Sequence, residues 1–478
     1  MNHRYIYRIL LLNISITGIY ASGFAQAPMS LYYLETIPQS NLANPAMTPR
    51  ANAFVSLPSV NFRYQSDVAF NDLIQKVGDN EWVTPTSSRF DYTKLYNAIG
   101  QSLNMNVYSD VSLFGLGFRS KRDYFTFSAT EKMVIQSGLP SDLFKIGDIG
   151  LVDGELYDFS TMRIKAMSYM EISFGYSREV TSDLTVGVHI KPLFGQVVAM
   201  TDISKLSMNV GLQQYDMAVS TDIYTSLPIT VYSQPNQFPD SVEVKDLDAS
   251  DAKNYMSSFK NPGLAVDLGA VYKFNSRLSF SAAINNLGFI RWKEDVNTIH
   301  TSGAYTYTGP NVTAENKDSL DQAFSDIADE LKDQLEHNVS TDKFSTGLMP
   351  MVYLGANYKV NHALSAGFLS RTVFQKTNLR QEFNLSANYN PYKFITLNTS
   401  VNTRIKGGTY LGMAIAWYMG PVQVYIAADH IPLHYSNIID SGNKYPVPTR
   451  MKDFNIMTGL NLVFGSKGFR DKPMLSHN

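Results

Sequence analysis

The feature that most constrains this chain is an alternation of apolar and polar residues with period two, repeated along most of its length. From 162 to 176, Met162, Ile164, Ala166, Met170, Ile172, Phe174 and Tyr176 share one parity, and Arg163, Lys165, Tyr169, Glu171 and Ser173 the other. A helix turns once in about 3.6 residues and would scatter both sets around its circumference; a strand sorts them onto two faces. After the polar stretch 178–183, Leu184, Val186, Val188 and Ile190 alternate with Thr185, Gly187, His189 and Lys191. Leu264, Val266, Leu268, Ala270 and Tyr272 then oppose Asp267, Gly269 and Lys273, and Leu278, Phe280, Ala282 and Ile284 follow across Asn275-Ser276-Arg277. Phe383, Leu385 and Ala387 oppose Arg380, Glu382, Asn384 and Ser386. Leu411, Met413, Ile415 and Trp417 form another apolar face, and Phe454, Ile456, Leu460, Leu462 and Phe464 the last. Such a chain is all-β and antiparallel.

The connections separate a membrane barrel from a soluble sandwich. Strands are predicted near 52–64, 105–118, 123–136, 161–177, 183–199, 263–274, 278–290, 349–359, 363–375, 379–389, 393–403, 408–418, 421–429 and 453–464. Gaps after even-numbered strands are short; the long gaps, 65–104, 137–160, 200–262, 291–348 and 430–452, all follow odd-numbered ones. Outer-membrane barrels sort their connections this way, with short periplasmic turns and long extracellular loops. The expected fold is a transmembrane antiparallel β-barrel of about fourteen strands, within a range of about twelve to sixteen. The first two strands carry the weakest alternation. Residues 203–230 add a hairpin that either raises the count to sixteen or lengthens the outer loops.

Composition agrees. Aromatic residues make up 12% of the 478, yet the mean hydropathy is only −0.15. No apolar run of about 18 residues follows the N-terminal segment, so no membrane-spanning helix is expected. Cysteine is absent, which removes disulfides and thiolate metal sites, and 40 Lys+Arg against 42 Asp+Glu give no basic excess for nucleic acid. Residues 1–25 read as a secretory signal: Arg4 and Arg8, then apolar residues 9–20, then Gly23-Phe24-Ala25 before a mature start at Gln26. The expected division is signal peptide 1–25, plug segment 26–51, barrel 52–464 and tail 465–478. It places the protein in a Gram-negative outer membrane with both termini periplasmic.

Chemistry is harder to find. No P-loop, GxSxG or HExxH is present, so no enzyme and no cofactor are expected. His430 and His434 stand four apart beside Asp429, but Pro432 argues against the helix that would make them a metal pair. Asp246, Asp248, Ser250 and Asp251 lack the glycine and late glutamate of a calcium loop. The inward parity is richer: Lys132, Arg163, Lys165, Glu171, His189, Lys191, Asp267, Lys273, Arg380 and Glu382 are expected to point into the lumen. They either neutralise one another or line a path for a solute. A barrel of this size is too wide for side chains alone to fill. Within the loop 291–348, Leu320, Ala323, Phe324, Ile327, Ala328, Leu331 and Leu335 fall at helical spacing. That predicts a helix over 318–335, either a lid or docking element or one that packs on its own loop.

Residues 26–51 carry Asn44-Pro45-Ala46, a turn-forming stretch suited to folding inside a lumen. In that position it resembles the N-terminal hatch of FadL-like fatty-acid transporters and of PorV-like barrels. Residues 184–195 and 286–292 resemble an uncharacterised outer-membrane family of Bacteroidota with a domain-of-unknown-function label. The resemblance implies a fourteen-stranded barrel with a lumenal hatch at Asn44, Pro45 and Ala46. It transfers no substrate, since Met47-Thr48-Pro49 departs from the transporter pattern. Two functions are expected: a passive transporter or channel for small hydrophobic solutes, with Tyr305, Tyr307, Phe324 and Phe344 among its loop aromatics, or a non-transporting subunit of a secretion, gliding or surface-assembly complex. The partners expected are outer-membrane lipid, a hydrophobic small-molecule cargo and a protein docked through the outer loops.

Overall fold

The computed structural model describes residues 27–466, apart from 79–80, 86, 212–213, 233–240, 245–259, 309–333, 376–378, 406, 432–434, 441–442 and 449. The signal segment, most of the predicted helix at 318–335, Phe324, His434 and the acidic loop at 246–251 lie outside the described residues.

Fourteen strands close into one antiparallel barrel. They are β1 (Ala51–Ser56, resuming as Ser59–Ser66), β2 (Ser102–Ser120), β3 (Asp123–Pro140), β4 (Arg163–Glu179), β5 (Leu184–Val210), β6 (Asn261–Lys273) and β7 (Leu278–Trp292). Then follow β8 (Phe344–Gly347, resuming as Met351–Lys359), β9 (Leu364–Phe374), β10 (Leu379–Tyr392), β11 (Ile395–Arg404), β12 (Gly408–Met419), β13 (Val422–Ile431) and β14 (Asp453–Ser466). β1 closes the barrel by pairing on both sides: Ala53 opposes Phe118 of β2 and Phe464 of β14. The weak alternation of β1 has a local cause. Pro58 brings no N–H, so the ladder breaks there and the outward parity slips from Val55 and Leu57 to Val60.

The 203–230 hairpin lengthens the rim and adds no barrel strand. β5 pairs with β6 only as far as Gly195, then runs on to Val210 and returns as Gln214–Ser226. That return strand pairs with Val296–Thr308, which pairs with Glu336–Ser340. A small β-sheet thus stands above the barrel on the long-loop side, where Tyr215 stacks on Tyr307.

Apolar side chains cover the outside of the barrel, including Phe174, Leu268, Phe289, Leu354 and Leu385. Near the short turns the outer residues are aromatic: Phe118 stacks on Phe125, Tyr176 lies beside them, and Tyr392 stacks on Phe394. An apolar band bounded by aromatic rings is the exterior a bilayer selects.

The lumen and the segment that fills it

Before β1 the chain crosses the lumen as two short 3₁₀ turns, Met29–Leu31 and Pro38–Leu42. Pro38 stands at the first position of its turn, where a missing N–H costs nothing. Leu31, Leu34 and Ile37 pack on Ala414, Ala416, Ala427, Tyr425 and Met457 of the wall. Met29, Tyr32, Ala43 and Met47 pack on Ala283, Met351, Tyr353, Leu369 and Val373. The alanines make the room. Burial pushes the Tyr32 phenol up to about 12, so it stays an un-ionised hydrogen-bonding group.

Asn44, Pro45 and Ala46 are buried at the centre of this contact. The Asn44 amide nitrogen donates to Tyr32 Oη at 3.0 Å and reaches the carbonyls of Ala282 and Ala270 at 3.3 and 3.5 Å. Its oxygen accepts from the Ala46 N–H at 2.9 Å. Ser177 Oγ and Asn41 Nδ2 donate to the Pro45 carbonyl at 2.6 and 2.9 Å. The wall opposite is made of two cross-paired glycines, Gly187 and Gly269. A Cβ at Gly187 would lie 2.4 Å from the Pro45 carbonyl, and one at Gly269 would lie 2.1 Å from Asn44 Oδ1. Only glycine lets the segment approach this closely.

The inward charges form two groups. In the first, β1, β9, β10, β11, β13 and β14 converge on two carboxylates. Arg63 grips Asp453 with two hydrogen bonds, 3.2 and 2.8 Å, and reaches Glu382 at 2.8 Å across the lumen. Arg371 donates to Glu382 from Nε at 3.0 Å, Arg380 lies 3.2 Å from Glu382, and Arg404 lies 3.2 Å from Asp453. The N-terminal segment joins this group. Met29 and Ser30 donate their N–H groups to Asp429 at 2.5 and 3.3 Å, and Arg371 reaches the Ala27 carbonyl at 3.4 Å. In the second group, Lys191 contacts Asp267 at 2.5 Å and Glu171 at 3.6 Å, while Lys132 lies 3.3 Å from Glu171. His189 bridges Asp267, at 3.1 Å, and Asn41 of the segment, at 2.9 Å.

Of the residues predicted to face the lumen, Arg380 and Glu382 fall in the first group, and Lys132, Glu171, His189, Lys191 and Asp267 in the second. Arg163 sits at the long-loop end, bonded to Asn104 at 2.6 Å. Lys273 departs from the expectation. It has inward parity but lies at the very end of β6, exposed, with its amine 3.5 Å from the Ser182 carbonyl of the neighbouring turn. Arg63, Arg371, Arg404 and Asp453 escaped the sequence reading, and His430, considered there only as a metal ligand, lies 3.7 Å from Asp453. Arg63 follows the slip in β1, and Asp453 opens β14 with no preceding alternation to set its face. Arg371 keeps parity with the buried Leu369 and Val373 and was findable.

Between the second group and the long-loop end lies a cavity of about 110 Å³. Its lining includes Met167, Leu348, Met349, Met351, Tyr108 and Lys165. Gln136 Nε2 donates to Tyr108 Oη at 3.2 Å. Lys165 forms no ion pair or hydrogen bond among the described residues. At the cavity edge the β7–β8 ladder is interrupted: Phe289 opposes Gly347, the Leu348 N–H reaches the Gly288 carbonyl, and regular pairing resumes only at Asn285 and Met351. Pro350 supplies no N–H, and Asn286 adopts a left-handed φ of 61°. Among the described residues no cluster of His, Asp or Glu is arranged to hold a metal.

A family described as "Family of unknown function (DUF5723)" matches residues 45–429. Among solved structures the chain is similar to the Ralstonia pickettii toluene transporter TbuX, with 10% identity, TM-score 0.42, and 94% of this chain and 96% of that one covered. It is also similar to the P. putida toluene transporter TodX, with 8% identity, TM-score 0.42, and coverage of 90% and 95%. A Pseudomonas aeruginosa FadL homologue gives 10% identity, TM-score 0.42, and coverage of 92% and 96%. No curated protein matches the chain.

Proposed function

The chain belongs to the DUF5723 family of unknown function, and from that premise we propose that it is an outer-membrane barrel passing small, mainly apolar solutes. The observation that carries this reading is the cavity beside the interrupted β7–β8 ladder. Methionines, leucine and tyrosine line it beside the paired charges Lys132, Glu171 and Lys191, and Lys165 adds an amine with no ion pair or hydrogen bond among the described residues. Sites for small ligands combine an apolar lining with a few polar groups that fix orientation. Methionine adapts its shape to varied apolar guests. The cargo that fits is an apolar body carrying one acceptor or acidic group for Lys165 and the Tyr108 hydroxyl. Residues 27–50 act as the plug, the short turns face the periplasm together with both termini, and the protein acts as a passive conduit with no enzymatic step. The exterior apolar belt with its aromatic edge supports the membrane placement.

The test is mass spectrometry of molecules extracted from the protein purified out of native outer membranes in mild detergent. A stoichiometric apolar ligand in the wild type, lost in a Lys165→Met variant, supports transport. A ligand-free protein that co-purifies with a stable partner overturns it in favour of a second reading, a docking subunit. The small sheet built from the outer half of β5, Gln214–Ser226 and Val296–Thr308 favours that alternative, because it is a rigid platform beyond the barrel.

A further inference from the structure

Among the polar groups on the exterior of the barrel is a hydrogen-bonded knot centred on a carboxyl group. Glu131 of β3 points outward, since its neighbours Thr130 and Lys132 line the cavity. Along the same outer face, exposed Phe174 of β4 lies towards the short turns and exposed Ile164 towards the long loops; Glu131 pairs with Met170 between them. Glu131 contacts two side chains: Ser168 Oγ lies 2.6 Å from its Oε1, and Gln196 Nε2 lies 3.0 Å from its Oε2. Ser168 Oγ and Gln196 Oε1 are themselves 2.9 Å apart, so the three side chains form a ring. No cation lies within ion-pair distance of Glu131 among the described residues. Lys132, the next residue along β3, is paired with Glu171 on the lumenal side of the wall.

Three contacts around a ring need three hydrogens. Ser168 supplies one. The Gln196 amide supplies one across its two contacts whichever way it is turned, because one end donates and the other accepts. An ionised carboxylate supplies none and leaves two acceptors facing each other at hydrogen-bond distance. A carboxylic acid supplies the third and closes the ring. We propose that Glu131 is a lipid-facing carboxylic acid that keeps its proton at neutral pH and is a modification site for apolar carboxyl reagents. The proposal rests on the outer-membrane reading for its lipid surroundings. Ionised carboxylates are costly on a lipid face, and the ring shows how this one avoids that cost. It also sits on the β4–β5 bulge between Ser168 and Tyr169. Loss of the proton would therefore open the ring beside the residue that presents Tyr169 to the cavity.

The experiment treats the full-length protein in lipid vesicles with dicyclohexylcarbodiimide. The acid O–H adds across one C=N bond, oxygen to carbon and proton to nitrogen. The acyl group then migrates to nitrogen and remains as an N-acylurea with no leaving group. Expected is label on the Glu131 peptide at neutral pH that fades as pH is raised and is absent in Glu131→Gln. That variant supplies the third hydrogen from its own amide and keeps the heat-modifiable mobility of the folded barrel. In parallel, the infrared difference between wild type and Glu131→Gln reports the protonated C=O band without any reagent. Absence of that band at neutral pH overturns the proposal, as does a stability in Glu131→Gln well below wild type. Failure of the protein to float with outer membranes would instead overturn the membrane reading, and the infrared band would still decide the proton.

Discussion

The two halves of the lumen are built from the same materials to opposite ends. On the β9–β14 side, Arg63, Arg371, Arg380 and Arg404 close over Glu382 and Asp453, and the N-terminal segment packs beneath them on alanines. On the β3–β6 side the charges also pair, through Lys132, Glu171, Lys191 and Asp267, but a cavity remains and Lys165 beside it has no ion pair or hydrogen bond among the described residues. Guanidinium groups bond two partners at once in a fixed planar fork and so can tie opposite walls together; lysine is a compact point charge on a flexible stem, without that fork. The difference teaches that one half is braced by its paired charges, while the hollow half keeps a cavity beside a lysine that has no ion pair or hydrogen bond among the described residues.

Removing the brace is the severest test of that contrast. Arg63→Ala removes the link between the two carboxylates, leaving Glu382 to Arg371 and Arg380 and Asp453 to Arg404, and should cost about 3–5 kcal/mol, the usual penalty for breaking a buried pair. Urea titration in lipid vesicles reads it, and a loss under 1 kcal/mol would show that the cluster is hydrated and no brace. Gly269→Val drives a side chain into Asn44 and Pro45. The overpacking should cost about 1–3 kcal/mol, relieved by expulsion of the segment, so single-channel conductance should rise while the barrel stays closed. Unchanged conductance would mean that residues 27–50 do not block the lumen. Asn44→Ala removes a buried amide and leaves the Ala46 N–H and Tyr32 without it, at a cost of about 1–3 kcal/mol. Its signature is faster hydrogen exchange in residues 29–50 with the strands unaffected. Lys165→Met should be the mildest, within about 0.5 kcal/mol of wild type because no partner is lost. A large destabilisation there would place Lys165 among the structural charges and erase the contrast between the halves.

Much of the barrel could be read in advance, because period-two alternation is a local property and each strand states its own faces. The segments at 162–176, 184–190 and 264–272 point as the pattern requires, and the fourteen strands follow. The failures are equally local. Pro58 breaks the β1 ladder and hides Arg63, and β5 runs past Gly195 with no change of pattern to mark where the barrel ends. Lys273 has the right parity and the wrong height, since parity reports the face of a residue and never its depth.

The candidate site was legible only in part. Asn44, Pro45 and Ala46 could be picked out, but nothing near them in the chain names Gly187 and Gly269 as the wall they press against. Chain pattern by itself determined the antiparallel class, a strand number of about fourteen, the sorting of short and long connections, and the side of the wall faced by residues in the clearly alternating strands, because these follow from backbone geometry repeated every two residues. The tertiary structure alone decided which charges meet, which amine is left over, and where a cavity survives. Such contacts join strands hundreds of residues apart, and their partners are set by closure of the barrel and by register.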